Sequence, residues 1–129
     1  MKLRIHEDSI RLRLNRREVS QFAESAVLEK SLEWGPGSGE RLAYGLEVSQ
    51  SVREVTLRSN GHSIIIVLPS ALARTWMTTD RVEIAAEVPV HNRRLSILVE
   101  KEFRRLHGAN LDPDLYPNPL EASAGAPHS

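Results

Sequence analysis

The sequence predicts a mainly β protein with short helices, in which one closed β-barrel is made from two similar halves. Two observations predict this class. Short segments that alternate apolar and polar residues recur along the chain, which is typical of half-buried strands. In addition, the segment Ser59–Val88 has a fainter copy at His6–Trp34. Phe22 aligns with Trp76 at a constant offset of 54, and a repeat at a fixed period changes the interpretation of the whole fold.

The first half begins with two predicted strands. The first covers Lys2–His6, and a turn at Glu7 and Asp8 joins it to the second, Ser9–Leu14. The second strand alternates strictly between apolar residues and polar residues that include two arginines. This alternation predicts a strand with one buried face and one exposed face.

A short helix is expected to follow these strands. Asn15 lies three residues before Glu18, which is a capping-box pattern with Asn in place of Ser or Thr. Val19, Phe22 and Ala23 occur at helical spacing and give the helix one apolar face.

Two more strands complete the first half. One covers Val27–Trp34, and the glycine-rich sequence Gly35–Gly39 forms a flexible connection. The alternating apolar residues of the next strand are Leu42, Tyr44, Leu46 and Val48.

The second half repeats this order. The Asn60-Gly61 pair predicts a hairpin turn, because both residues tolerate positive φ. Ser63–Leu68 is almost entirely apolar and predicts a strand that is buried on both faces, and Pro69 suits the first turn of a helix. The remaining predicted strands are Glu54–Ser59, Arg81–Val88 and one through Leu95, Ile97 and Val99.

These elements predict one domain and a tail. The barrel domain covers residues 1–107, with the first repeat at about 1–49 and the second at about 53–101. Residues 108–129 form a proline-containing C-terminal tail that we expect to be partly disordered.

Composition restricts the classes of function. The 129 residues carry no formal net charge. The chain therefore lacks the overall basic character that would indicate nucleic-acid binding. The absence of cysteine excludes disulfides, thiolate metal sites and a cysteine nucleophile. With no apolar run of membrane-spanning length, we expect a soluble, cytoplasmic protein without membrane partners.

A family resemblance arises from the segment Asn60–Pro69, which continues through Leu72, Trp76 and the Asp80–Glu83 strand start. It is similar to the swapped-hairpin superfamily of AbrB-type regulators and MazE-type antitoxins. In that superfamily two chains interleave hairpins to form a DNA-binding barrel. With two copies in one chain, the resemblance implies a monomeric barrel with pseudo-two-fold symmetry. The whole chain also resembles an uncharacterised bacterial protein family.

The resemblance implies a non-enzymatic binding protein, namely a degenerate AbrB/MazE-like regulator or an interaction module. One alternative is weak, sequence-independent DNA binding through an N-terminal arginine face. The superfamily's basic positions fall on Arg4 and Arg13 and on Arg58 in the second half, while Val67 occupies the fourth. Arg11 adds charge on the face of Arg13.

The tail offers a second kind of binding site. Antitoxin-like chains hold protein partners with an extended tail, and Leu115 and Tyr116 are the expected anchors here. The alternative is that the tail folds back and covers its own barrel.

An enzymatic function is not expected, and no cofactor is implied. A second alternative is a small-ligand or metal-binding barrel, in which His6, Asp8 and His62 meet across the two equivalent turns. The competing interpretation is that these turn residues are solvated. Trp34 and Phe103 are candidates for a ligand pocket or, more simply, for the core.

Overall fold

The computed structural model describes residues 1–103, 114, 116 and 117. Its elements follow the order β-β-α-β-β twice, which confirms the mainly β class with two short helices. The first half contains β1 (Lys2–His6), β2 (Ser9–Leu14), α1 (Arg16–Ser25), β3 (Val27–Glu33) and β4 (Arg41–Ser49). The second contains β5 (Thr56–Ser59), β6 (Ser63–Pro69), α2 (Ser70–Thr78), β7 (Glu83–Val90) and β8 (Arg93–Lys101).

The strands form two four-stranded sheets, and each sheet takes one hairpin from each half. Sheet A has the order β1-β2-β8-β7, and sheet B has the order β3-β4-β6-β5. The hairpin strands pair antiparallel, whereas the central pairs, β2 with β8 and β4 with β6, are parallel. Neither half therefore builds a complete sheet by itself.

The registers of the two central pairs are equivalent. Ser9 lies opposite Ser96 in sheet A, and Ser63 lies opposite Ala43 in sheet B. These are the positions that the sequence repeat aligns, so the repeat is visible in backbone pairing as well as in residue pattern.

One detail of the predicted repeat is wrong. The constant offset matches Glu29 with Glu83, but Leu28 lies opposite Leu46 and Ile84 lies opposite Val99. Because β4 and β8 are equivalent, Leu28 corresponds to Ile84. The physical reason is the longer connection between α2 and β7 than between α1 and β3.

One hydrophobic core contains residues from both sheets and both helices. Phe22 and Trp76 are fully buried at equivalent helical positions, as predicted. Ala23 and Trp34 are exposed, so their predicted places in the core are wrong. Trp34 is 61% exposed because it extends β3 beyond the body, with its N–H bonded to the Glu40 carbonyl at 3.0 Å.

The predicted capping box of α1 is confirmed. The Asn15 side chain accepts a hydrogen bond from the Glu18 N–H at 2.9 Å, and the Glu18 side chain accepts one from the Asn15 N–H at 3.0 Å. These bonds satisfy two backbone donors at the helix start. The predicted burial of the second central strand is also confirmed, since residues 65–68 are all buried.

The predicted closed barrel is not found, because no pairing among the described strands joins the two sheets. Across the described residues, no helix has the length and apolar character needed to cross a membrane.

Candidate functional site: the outer faces of the two sheets

The outer face of sheet A is divided into a basic half and an acidic half. Strand alternation sends the apolar residues of β2 into the core and its arginines outward. Because cross-strand partners share a face, the outward residues of the other strands follow from the register. The basic ones are Lys2, Arg4, Arg11, Arg13 and Arg94, and the acidic ones are Glu83, Glu87 and Glu100; Arg94 lies in the acidic half, 3.6 Å from Glu87.

Glu100 is bound by arginines of β2. The Arg13 Nε donates to the Glu100 Oε1 at 2.5 Å, while the Arg11 Nε lies 3.7 Å from the same oxygen. Arg4 is exposed and makes no ion pair within the described part of the chain. The basic half of this face therefore keeps charge that its own sheet does not neutralise.

The turn beside this face is less acidic than its sequence suggests. The Asp8 carboxylate pairs with the Arg93 guanidinium at 3.0 Å. Glu7 lies at the tip with a φ of 51°. Only one of the two acidic turn residues thus carries an uncompensated charge toward an approaching polyanion.

The outer face of sheet B has a different arrangement. The Arg58 Nη2 donates to the Glu47 Oε1 at 2.9 Å. Arg58 lies opposite Ile65 and Glu47 lies opposite Val67, so the ion pair passes over β6. Ile65 and Val67 are buried although they are not part of the main core, which is consistent with cover by this pair.

The four predicted DNA-binding arginines therefore do not share one surface. Arg4, Arg11 and Arg13 lie together on sheet A, whereas Arg58 lies on the outer face of sheet B. Sequence spacing could not show this separation, because the equivalent hairpins β1–β2 and β5–β6 belong to different sheets.

Each outer face also carries a groove at the equivalent position. Groove A, of about 550 Å³, lies on sheet A, and groove B, of about 350 Å³, lies on sheet B. Groove A is lined by Ser9, Ile10, Arg11, Ala85, Ala86, Glu87, Ser96, Ile97 and Leu98. Groove B is lined by Glu29, Ser38, Arg41, Ala43, Arg58, Asn60, His62, Ser63 and Ile65. Neither groove was predicted from the sequence, in which their only signal is the small residues at outward strand positions.

The hypothesis of a metal site receives no support from the described residues. They contain no group of three or more His, Asp or Glu side chains placed to hold a metal ion. His6 and Asp8 flank the β1–β2 turn, and Asp8 is engaged by Arg93. His62 instead lies against Gly39, in the connection between β3 and β4.

Part of the tail packs on the body of the protein. Leu115 lies outside the described residues, but Tyr116 is half-buried and donates its N–H to the Glu102 carbonyl at 2.7 Å. The Tyr116 ring lies edge-on to Phe103, with 5.8 Å between centroids. The Arg16 guanidinium lies 5.5 Å from the ring centroid of Tyr116. These contacts favour a tail that covers its own body over a tail that extends to a partner.

A buried lysine lies beneath this contact. The Lys101 Nζ donates to the Thr79 carbonyl at 2.7 Å and lies 5.9 Å from the Trp76 ring and 5.5 Å from the Tyr116 ring. Burial lowers the pKa of Lys101, and the Asp80 carboxylate offsets part of that shift. Burial raises the pKa of Tyr116, and Arg16 offsets part of it. The sequence signal for Lys101 was its inward place in the alternation of β8.

The fold and these surfaces define a mainly β protein with a duplicated strand order and charged grooves on the outer faces of two sheets. The chain matches the family of unknown function DUF7009 over residues 1–120, and it belongs to that family. No curated protein and no solved structure matches the chain.

Proposed function

We propose that this protein is a non-enzymatic binding protein that contacts nucleic acid weakly through the arginine face, defined as Arg4, Arg11 and Arg13. The observation that carries the proposal is the unequal use of Glu100. Glu100 is bound closely by Arg13, at 2.5 Å, and more loosely by Arg11, at 3.7 Å, whereas Arg4 is exposed without an ion pair among the described residues.

The shape and chemistry of this surface suit a phosphate backbone. Arginine presents a planar set of donors that matches phosphate oxygens. The face lies on the hairpin of β1 and β2, with β1 at the edge of sheet A. A two-stranded β-ribbon fits the major groove of duplex DNA. The resemblance to AbrB- and MazE-type proteins supports the same assignment.

The binding is expected to be weak and independent of sequence. Each phosphate that a basic residue neutralises contributes about 0.9 to the slope of log K against log salt concentration. Three arginines therefore give a slope of roughly −3 at most. Glu83 on the same sheet limits how far the contact extends, whereas Glu87 is paired with Arg94 at 3.6 Å.

Fluorescence anisotropy of a labelled DNA duplex at low salt tests the proposal. The wild-type chain should bind with a shallow salt slope, and the double variant Arg4→Ala, Arg11→Ala should lose most of that binding. Arg74→Ala is the matched control, because Arg74 is exposed on α2, away from sheet A and from both grooves. Absence of binding at low salt, or an equal loss with Arg74→Ala, would refute the arginine face.

We further propose that the two sheets close into one swapped-hairpin-like barrel within a single chain. Two features support this: each sheet combines hairpins of both halves, and one core joins both sheets. A self-contained barrel leaves no hairpin to exchange, so light scattering should give the mass of a monomer. An obligate dimer with exchanged hairpins would contradict this proposal.

A further inference from the structure

Groove B combines a floor of small side chains with a rim of long polar ones. Ser63 and Ala43 lie side by side on the two central strands, with Ile65 and Gly45 in the next row. The edge strands supply longer side chains, Arg58 from β5 and Glu29 from β3. The volume of about 350 Å³ lies in the range of small-ligand sites.

Beside the floor, Gly45 cannot be replaced by another residue without movement of the backbone. A Cβ on Gly45 would lie 2.1 Å from the Leu28 carbonyl oxygen and 2.9 Å from the Glu29 Cα. Both atoms belong to the backbone of β3, so they cannot rotate away. The close approach of β3 to β4 thus requires glycine, which also places Glu29 beside the groove.

Two arginines line groove B, Arg41 on the central strand β4 and Arg58 on the edge strand β5. Arg41 lines the groove and makes no ion pair within the part of the chain that the structure describes. Arg58 uses Nη2 for Glu47, and its guanidinium has further N–H groups. Both arginines therefore have donors for an anion.

The β5–β6 turn fixes further donors next to these arginines. The Asn60 Oδ1 accepts hydrogen bonds from the His62 N–H at 3.1 Å and from the Ser63 hydroxyl at 2.9 Å. With its oxygen occupied, the Asn60 side chain offers its amide nitrogen, which is a donor only. The Ser63 hydroxyl has donated its proton and offers lone pairs.

The edge strand β3 supplies an acceptor. Glu29 lines the groove from β3, and its carboxylate repels an anion but accepts hydrogen bonds from hydroxyl groups. A ligand with an anionic end and a hydroxylated end matches both the arginines and Glu29, whereas a simple polyanion does not.

We propose that groove B binds a small phosphate monoester that carries hydroxyl groups. Arg41, Arg58 and Asn60 contact the phosphate, and Glu29 accepts hydrogen bonds from the hydroxyl groups. Groove A lacks this chemistry, because Leu98 and Ala85 occupy the positions equivalent to Gly45 and Glu29. The proposal is independent of nucleic-acid binding by sheet A.

NMR titration of the ¹⁵N-labelled full chain tests the site, with inorganic phosphate and glycerol 3-phosphate as probes and sodium chloride at matched ionic strength as the reference. The amide signals of Gly39, Gly61 and Ser63 should shift and saturate with both phosphates. Arg41→Ala should weaken binding about tenfold, the scale of one charge-assisted hydrogen bond. Arg74→Ala, on the exposed side of α2, is the matched control and should leave the affinity unchanged.

The variant Glu29→Gln separates the two ends of the ligand. It should leave the affinity for inorganic phosphate equal or higher, and should reduce the advantage of glycerol 3-phosphate over inorganic phosphate. Shifts that do not saturate, that appear only at Ser9 and Arg11 of sheet A, or that persist unchanged in Arg41→Ala would overturn the site. An undiminished advantage of glycerol 3-phosphate in Glu29→Gln would overturn the role of Glu29.

Discussion

Sheets A and B carry a glutamate at the same position of the repeat, but arginines from different strands bind it. In sheet A, Arg13 of a central strand holds Glu100; in sheet B, Arg58 of an edge strand reaches across β6 to Glu47. The position equivalent to Arg13 is Val67, which is buried under that ion pair. The difference between Arg13 and Val67 therefore decides which arginine of each sheet binds the glutamate and which is left for other contacts.

The inner faces show the opposite behaviour. Leu12 and Ile66, or Phe22 and Trp76, are equivalent positions, and all four residues are buried in the core. Packing keeps these inward positions apolar in both halves, whereas the outward positions carry different chemistry in the two sheets. Lys101 is an inward exception, because its equivalent is Val48. Each half of the protein is therefore an internal control for experiments on the other half.

The largest expected effect comes from the two helical core residues. Phe22→Ala and Trp76→Ala should each lower the free energy of unfolding by about 3–5 kcal/mol, because both side chains are fully buried. Trp76→Ala should lie at the upper end, since Trp76 Nε1 also donates to the Val82 carbonyl at 2.9 Å. Urea denaturation measures both; a loss below about 1 kcal/mol for either would show that the helices are not equivalent core elements.

The next largest effect on stability is expected at Gly45, whose equivalent in the second half is Leu98. Gly45→Ala should cost about 1–3 kcal/mol, because the new methyl group meets the backbone of β3. Leu98→Ala, at the equivalent and half-buried position of β8, should cost about 1 kcal/mol or less. Thermal unfolding of the pair tests this, and equal losses would remove the special role of the β3–β4 approach.

A smaller effect is expected where the tail meets Lys101, whose equivalent in the first half is Val48. A double-mutant cycle of Lys101→Met with Tyr116→Leu should give a coupling of about 0.5–2 kcal/mol, the range of cation–π contacts. A coupling of zero, with each variant otherwise folded, would mean that the tail rests on Phe103 and Arg16 alone.

The same pair predicts a pH dependence. The pKa of Lys101 is lower in the folded protein than its ordinary value of 10.5, so the unfolded chain binds more protons between the two values. Stability should therefore rise as pH increases through that window. The pKa of Tyr116 is raised above 10.0, so its contribution falls as pH rises beyond 10.0. Urea titrations from about pH 8 upward should show the rise in wild type and not in Lys101→Met, and the later fall should be absent in Tyr116→Phe.

The smallest stability effects should come from the ion pairs on the outer faces. Arg13→Ala and Arg58→Ala should each change the free energy of unfolding by about 1 kcal/mol or less, because these side chains are largely solvent-exposed. Arg58→Ala should be the larger of the two, since it also uncovers Ile65 and Val67. A larger loss for Arg13→Ala would contradict the idea that Arg58 shields β6.

Much of the fold was predictable because the strands and helices follow local patterns. The alternation of Ser9–Leu14, the capping box at Asn15 and the Asn60-Gly61 turn each have a local physical cause and lie where expected, although only Gly61 of the turn pair has a positive φ. The assignment of hairpins to sheets was not predictable, because pairing of β2 with β8 depends on contacts between distant parts of the chain.

The candidate sites were predictable only in part for the same reason. Residue type identified the arginines, but sheet assignment separates Arg58 from the others. Beside groove B are the close approach of β3 to β4 at Gly45 and a connection between these strands that lies against His62. A lone glycine in a strand pattern indicates a close backbone approach, but a single sequence does not show which strand approaches or what the connection contacts.

The parallel pairing of β2 with β8 has a consequence for how the protein is made. Ser9 pairs with Ser96, which lies 87 residues later in the chain. Sheet A therefore cannot be completed on the ribosome until nearly the whole described chain has been synthesised. Contacts between such distant segments slow folding. The β2 edge of the β1–β2 hairpin therefore stays unpaired in the nascent chain until β8 has been synthesised.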